Sequence, residues 1–289
     1  MGYQLDKSFD EIQHEWMGKF VEHRIGDKRI LRLIHKWLKA GVSEDGQWSS
    51  TEVGTSQGAT ISPLLANIYL HYVLDLWVEA WRKRYAQGEV YIVRYADDFV
   101  MGFQHRRDAE AFQQALAERM HKFGLELNGE KTRLIEFGRF AAKNRRTRGE
   151  GKPETFEFLG FTHICGRRRK DGSFTVRRKT IAKRFRKKVK GVTEQLKRIR
   201  HSPVPEQGKW LRSVITGYYN YYGVPGNNYA LNRFRKLLAR AWIRALRKRS
   251  NKGRGLTWAR MQKLLATWLP NPRTLHPYPS QRLCVRYPR

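Results

Sequence analysis

The sequence predicts an α+β fold, with a mixed helix-and-strand domain followed by a basic, all-helical one. Two apolar runs, Val90-Tyr91-Ile92-Val93 and Phe99-Val100-Met101-Gly102-Phe103, flank Tyr95-Ala96-Asp97-Asp98 and read as strands of a tight hairpin. Charge is divided unequally: residues 1–138 carry 18 Lys and Arg against 20 Asp and Glu, while residues 139–289 carry 40 against 6. From about Lys179 the pattern becomes strongly basic helices separated by Pro/Gly loops. The domains are therefore drawn as 1–178 and 179–289.

Taken in order, Trp16, Phe20, Ile30, Leu33, Ile34 and Trp37 recur at roughly helical spacing and predict one helix from about Glu15 to Ala40, with Gly41 as its stop. A second helix is expected over 64–81, where Leu64/Leu65, Ile68/Tyr69, Tyr72/Val73 and Leu76/Trp77 repeat every four positions; these aromatics read as core. After the hairpin, Phe112, Leu116, Met120 and Phe123 mark a helix from about Asp108 to Phe123, ended by Gly124. Short strands are expected near 125–127, 132–137 and 156–161, then a hairpin at Lys170-Asp171-Gly172 leading into Phe174-Thr175-Val176. Residues 139–153 are basic and poor in apolar residues, and read as a loop. Helices over 180–200, 207–222, 229–249 and 257–268 complete the chain, which contains no repeats.

Adjacent carboxylates in a turn are ordinarily a solvated hairpin tip, because turns favour Asp. Here both flanking strands are almost wholly apolar, as expected of strands buried in a sheet, where two like charges repel at a cost. A divalent cation would relieve that repulsion, and hard oxygen ligands suit Mg²⁺ bridging to phosphates. The net charge of +32, concentrated in the second half, points to a polyanion. Nucleic acid stands ahead of an anionic membrane surface, for there is neither a lipidation motif nor a lone amphipathic basic helix. No apolar run approaches a membrane span and no secretory signal opens the chain, so a cytoplasmic protein is expected. Cys165 and Cys284 are too few for a disulfide framework or a zinc cluster, and the nine His show no ligand spacing.

Further segments fall in line with the acidic pair. Residues 54–67, GTSQGATISPLLAN, form a glycine-bearing turn into a helix; Gly58 lets backbone approach a ligand, Ser56 and Gln57 offer hydrogen bonds, and the helix N-terminus favours phosphate. Residues 124–132 read GLELNGEKT, 156–161 read FEFLGF, and 9–16 read FDEIQHEW. Later come YYNYYGVPGN at 218–227, WLPNPR at 268–273 and HPYP at 276–279. In this order the segments resemble the group II intron reverse transcriptase/maturase family: 95–98 match its YADD motif, 54–67 its GTPQG-x-x-SPLLANI segment, 124–132 its GL-x-LN-x-EKT segment and 156–161 its FLGF segment. The C-terminal segments look like its maturase (X) region, so the resemblance covers essentially the whole chain.

The resemblance implies a right-hand polymerase palm with an antiparallel sheet, then a basic helical thumb/maturase domain. It implies RNA-directed DNA polymerisation, in which dNTPs are added to a DNA primer on an RNA template, together with binding and splicing assistance of a group II intron RNA. Two Mg²⁺ ions are expected, with Mn²⁺ as a substitute, held by Asp97 and Asp98. Phe9 matches the aromatic on which the incoming sugar rests, or is a core ring; Gln57 and Gly58 match nucleotide and template contacts. Lys131 matches a proton donor to the departing pyrophosphate, or is a surface Lys. In the thumb, Arg184, Arg186, Lys187, Lys188 and Lys190, then Arg244, Arg247, Lys248 and Arg249, would line phosphates. Tyr221 and Tyr222, with Tyr218 and Tyr219, pack in the helix core or stack on bases.

Two departures stand out. The family's third carboxylate, five positions before Phe9, falls on Gln4, and losing one negative charge weakens metal binding and transition-state stabilisation. Asp6 shares a strand face with Gln4 but lies several ångströms further along. The chain also begins where the family's fingers end, so a truncated reading frame without a nuclease segment is expected. Ser56, where Pro is usual, loosens the turn before Gln57. Three readings follow: a polymerase, an RNA-binding splicing cofactor that polymerises nothing, and a fragment without activity.

Overall fold

In the computed structural model, which describes residues 2–6, 12–39, 42–44, 47–49, 61–130, 132–168, 170–250 and 252–277, the acidic hairpin lies in a four-stranded antiparallel sheet. The chain divides into two units, Met1–Ile135 and Glu136–Arg289. That division coincides with the change in charge: the first unit is nearly balanced, whereas the second holds 40 Lys and Arg against 7 Asp and Glu. The expected boundary at 178/179 marks something different, the point where sheet gives way to basic helices.

The first unit contains β1 (Gly2–Asp6), α1 (His14–Glu22), α2 (Lys28–Lys39), the short strands β2 (Val42–Glu44) and β3 (Gln47–Ser49), and α3 (Ser62–Leu70). A π-helix (His71–Asp75) then joins α3 to α4 (Leu76–Arg84), followed by β4 (Val90–Tyr95), β5 (Asp98–Phe103), α5 (Arg106–Lys122) and β6 (Glu126–Leu127). The sheet order is β4-β5-β1-β6. Alternation along the hairpin sets its faces: Val90, Phe99 and Met101 join the core with Tyr69, Val73, Phe112 and Leu116, while Tyr91, Val93 and Tyr95 are exposed. The expectation of strands buried on both faces is thus corrected. Of the aromatic and β-branched residues that made β4 look internal, Tyr91, Val93 and Tyr95 are instead exposed.

The single helix expected over 15–40 is two. Asp27 breaks it by accepting the Arg29 backbone N–H (2.8 Å), and the five-residue interruption resets the helical phase. Consequently α1 buries Met17 and Val21 and α2 buries Ile34 and Leu38, while Ile30, Leu33 and Trp37, read as one apolar stripe, are exposed. The four-residue repeat over 64–77 also has a physical consequence. Four α-helical residues overshoot a full turn by roughly 40°, so such a stripe drifts around the helix. The wider π-turn at 71–75 compensates, keeping Tyr69, Val73 and Leu74 buried. Arg119 of α5 satisfies the altered backbone there, donating to the Val73 and Tyr72 carbonyls (3.0 and 3.3 Å). Gly124, at φ +67°, ends α5, and a Cβ there would meet the Gln13 side chain at 2.5 Å.

The second unit contains α6 (Ala141–Thr147), β7 (Phe156–Phe158), β8 (Phe161–Arg167), β9 (Phe174–Thr180), α7 (Ala182–Arg198), α8 (Val204–Tyr222), α9 (Asn228–Arg247), a 3₁₀ turn (Lys252–Gly255) and α10 (Trp258–Trp268). β7, β8 and β9 form an antiparallel meander. Residues 132–137 form no strand; instead Phe137 packs on the Phe156 ring (5.0 Å) and Gly138 hydrogen-bonds Cys165. Residues 139–153 are not wholly loop, because Arg148 pairs with both Glu136 and Glu150, and Asn144 donates to Glu136, closing α6 into a braced turn. The FLGF segment is a turn rather than one strand: Phe158 and Phe161 pair across Leu159 (φ +46°) and Gly160 (φ +77°). The helical core is organised around two buried amides. Gln207 donates to the Arg200 and Ser202 carbonyls and accepts from Trp242 Nε1, while Asn227 ties Thr180 to the Tyr222 carbonyl.

Candidate active site and nucleic-acid surface

Asp97 and Asp98 stand at the end of the β4–β5 hairpin, where Tyr95 and Asp98 are the last register pair and Ala96-Asp97 form the two-residue connection. Ala96 has φ +53°, a left-handed conformation that glycine would adopt without cost. Both carboxylate residues are half-buried, and Tyr95 beside them is 66% exposed, so the acidic end opens onto solvent along the uncovered sheet face.

One side chain holds this turn. Arg94, half-buried in β4, donates from Nη1 to the Ala96 carbonyl (3.0 Å) and to Asn67 Oδ1 (2.8 Å). Its Nε and Nη2 meet both oxygens of Asp75 (2.8 and 2.6 Å), a bidentate pair across to the π-helix. The carbonyl of a strained residue is thereby fixed to the helical layer beneath, which is how a non-glycine turn is kept in one conformation. Sequence reasoning passed over Arg94, although an isolated cation inside an apolar strand was the available signal.

The ladder places β1 beside β5, with Gln4 opposite Asp98 and Asp6 opposite Glu126 of β6. The residue at the expected third-ligand position is therefore next to the acidic pair, but it is an amide; Asp6 registers two residues away, with a different strand. Two carboxylates in one turn fit a hard divalent cation that takes its remaining oxygens from substrate phosphates. Among the described residues, no group of three His, Cys, Asp or Glu side chains comes together. Phe9, Gln57, Gly58 and Lys131 lie outside the described residues.

In the second unit, Arg184, Arg186, Lys187, Lys188 and Lys190 are all exposed on α7. At the end of α9, Arg244, Arg247 and Lys248 are exposed, and two cations there have structural work: Arg247 donates to the Leu256 carbonyl and Arg249 to that of His201. Tyr218 and Tyr219 are buried, which pushes both phenols up to about 12 and keeps them neutral. Tyr221 is half-exposed but engaged: its Oη donates to the Leu159 carbonyl (3.0 Å) and its ring stacks on Phe161. Tyr222 meets Phe161 edge-on.

Residues 3–163, more than half the chain, match the family described as reverse transcriptase (RNA-dependent DNA polymerase). The chain is 46% identical over 72 residues to the group II intron-encoded protein LtrA of Lactococcus lactis subsp. cremoris, covering 24% of this chain and 12% of that protein. It is 27% identical over 162 residues to a COX1/OXI3 intron 2 protein of Saccharomyces cerevisiae, covering 56% of this chain and 16% of the relative. To the protein YkfC of Escherichia coli it is 34% identical over 124 residues, covering 34% of this chain and 32% of YkfC. The chain thus spans about a third or less of the length of these relatives.

Proposed function

We propose a function from the premise that the chain belongs to the reverse transcriptase (RNA-dependent DNA polymerase) family, of the kind that group II introns encode. Its reaction is RNA-directed DNA synthesis at the Asp97–Asp98 hairpin, with dNTPs added to a DNA primer paired to an RNA template. Its second unit binds structured intron RNA and assists its splicing. The observation that carries this reading is the strand register, in which β1 runs beside the acidic hairpin with position 4 opposite Asp98. The sheet around that hairpin is the palm, and the basic helices are the thumb and maturase region.

Asp97 and Asp98 would hold the divalent cation, Mg²⁺ first, and when bound it supplies charge neutralisation for the triphosphate and acidifies the primer 3′-hydroxyl. Arg94 keeps the two carboxylates in place by fixing the turn that carries them. Phe9 would rest against the incoming sugar, Gln57 and Gly58 would contact the nucleotide and template, and Lys131 would protonate the departing pyrophosphate. Position 4 limits the rate, because an amide contributes neither charge nor a strong anionic ligand. A second reading, an RNA-binding splicing cofactor that synthesises little DNA, is favoured by that same Gln4.

Primer extension on an RNA template with Mg²⁺ or Mn²⁺ tests both. The chain as it stands should extend feebly, Asp98→Ala should abolish the residue of activity, and Gln4→Asp should raise it at least tenfold. Extension indifferent to Asp98→Ala would remove the hairpin from the reaction. Extension that Gln4→Asp leaves flat would favour the splicing cofactor.

A further inference from the structure

A groove of about 450 Å³ lies between α7 and the start of α9 in the second unit. That volume falls in the range of roughly 300–1,000 Å³ typical of small-ligand sites. Its wall chemistry is divided. Phe185, Val189 and Leu237 make an apolar lining, and Ala182 and Ala230 leave it open where larger side chains would close it. Lys179, Arg186, Lys190 and Arg233 also line it, and among the described residues no carboxylate does, although Glu194 pairs with Lys190 at 4.0 Å. The Arg233 guanidinium lies over the Phe185 ring at 5.8 Å. Tyr229, in the first turn of α9, lines the groove while 79% exposed, a large aromatic surface left to water.

We propose that this groove takes one unstacked nucleotide of a structured RNA, its base on the exposed Tyr229 ring with the buried Phe185 at the floor, and its phosphate on Lys179, Arg186 and Lys190. The inference rests on the reading that the second unit binds RNA. Cations distributed over an exposed helix attract any polyanion, and they explain affinity without explaining a concavity. An apolar cleft with a free aromatic ring and a cationic border matches the two halves of a nucleotide, a flat base and a charged phosphate. The α9 N-terminus beside it adds a partial positive charge on the same side. Paired bases cannot enter, so the groove selects loops and bulges over continuous duplex.

The test is a fluorescence-anisotropy titration of the full chain at fixed salt with two end-labelled hairpin RNAs, identical except that one carries a single bulged 2-aminopurine. Bulged RNA should bind about tenfold more tightly than its continuous counterpart, with the probe's emission changing on binding. Ala230→Trp, which fills the groove without altering charge, should reduce the bulged RNA to the affinity of the continuous one and leave the latter unchanged. Ala182→Trp, at a more exposed position, should do the same and guards against a folding defect. Tyr229→Ala should lose about five- to tenfold for the bulged RNA alone. Arg186→Ala should weaken both RNAs.

Equal binding of the two RNAs, unaffected by either Trp, would overturn the groove and leave the RNA-binding reading intact. No binding of either RNA would sink that underlying reading instead. A Trp variant that changes the oligomeric state rather than RNA affinity would assign the groove to a second copy of the chain, and so overturn the proposal.

Discussion

Each unit contains a two-residue hairpin turn built on a residue other than glycine at positive φ, Ala96 in the first and Leu159 in the second, and these are the two such residues among those described. Both turns have their strained carbonyl held by a side chain. The means differ. Ala96 is gripped by Arg94, itself in a bidentate ion pair with Asp75, whereas Leu159 is held by the neutral phenol of Tyr221. The contrast extends through both units. In the first, beside the buried Tyr69 phenol that donates to the Phe123 carbonyl, much of the internal polar work falls to ions: Arg94 with Asp75, Arg119 on the π-helix carbonyls, and the Asp108 carboxylate accepting from the backbone N–H groups of Gln87 and Gly88. In the second, the fully buried positions go to the neutral amides of Gln207 and Asn227, while its bracing ions, Arg148 with Glu136 and Glu150 and Arg235, Arg247 and Arg249 on backbone carbonyls, stay at least partly exposed. A unit with 40 cations and 7 acids gains from neutral internal bracing, because every buried carboxylate would dilute the field that attracts a polyanion.

Salt gives the largest test of that contrast. If the second unit meets 6–10 RNA phosphates, affinity for structured RNA should fall by about 10³–10⁵ between 50 and 200 mM salt. Lys187→Ala with Lys188→Ala should shallow the log–log slope by roughly 1–2, whereas the paired change Lys36→Ala with Lys39→Ala in the first unit should leave it alone. A flat salt response, or equal effects from both pairs, would break the division of labour.

Next in size is Gln207→Leu. Gln207 is fully buried, and leucine would strand Trp242 Nε1 and two backbone carbonyls, costing about 3 kcal/mol. In denaturant titration, the cost should fall on unfolding of the second unit, with the first unchanged. Smaller, and aimed at the paired turns, is Arg94→Ala, which should cost about 1–3 kcal/mol because it leaves the Asp75 carboxylate without its bidentate partner. Tyr221→Phe, at a half-exposed site, should cost about 1 kcal/mol or less. Ala96→Gly should recover part of the Arg94→Ala loss by removing the backbone strain. If Tyr221→Phe proved the more costly of the two, the distinction between ionic and neutral bracing would fail.

What could be read from the sequence, and what could not, divides along the same physical line. Helix α5 was readable because Phe112, Leu116 and Met120 bury one face and Gly124 supplies a local stop. The acidic hairpin and the basic second half were readable because β-branched and aromatic enrichment, turn residues and charge are local properties. Arg94 was missed because its partners Asp75 and Asn67 lie 19 and 27 positions away. Helix α6 was missed because ion pairs between Arg148, Glu136 and Glu150 stabilise a segment whose composition reads as loop. The exposed faces of β4 and α2 were misread because apolar periodicity identifies an amphipathic element and not what covers it.

The smallest expected effect separates the units by pH. His163, in β8, stacks on Phe156 with ring centroids 4.7 Å apart, and it pairs in register with Arg178 of β9. Burial first, and the Arg178 charge second, hold its pKa below the ordinary value near 6.5. Its buried Nδ1 has no hydrogen-bond partner, so a second ring proton would be stranded there. The sign follows from which state binds the proton. The unfolded imidazole is protonated near pH 6.5, the folded one only at lower pH, so the stabilisation is complete above 6.5 and is lost as pH falls from there through the folded value. Thermal unfolding of the second unit should therefore shift downward between pH 7 and 5.5, with the first unit steady over that range. His163→Phe keeps a ring against Phe156 and removes the titration, so it should flatten the response. A slope that survives His163→Phe would move the titrating group elsewhere in the second unit. One that appears instead in the first unit would break the expected separation of the two units by pH.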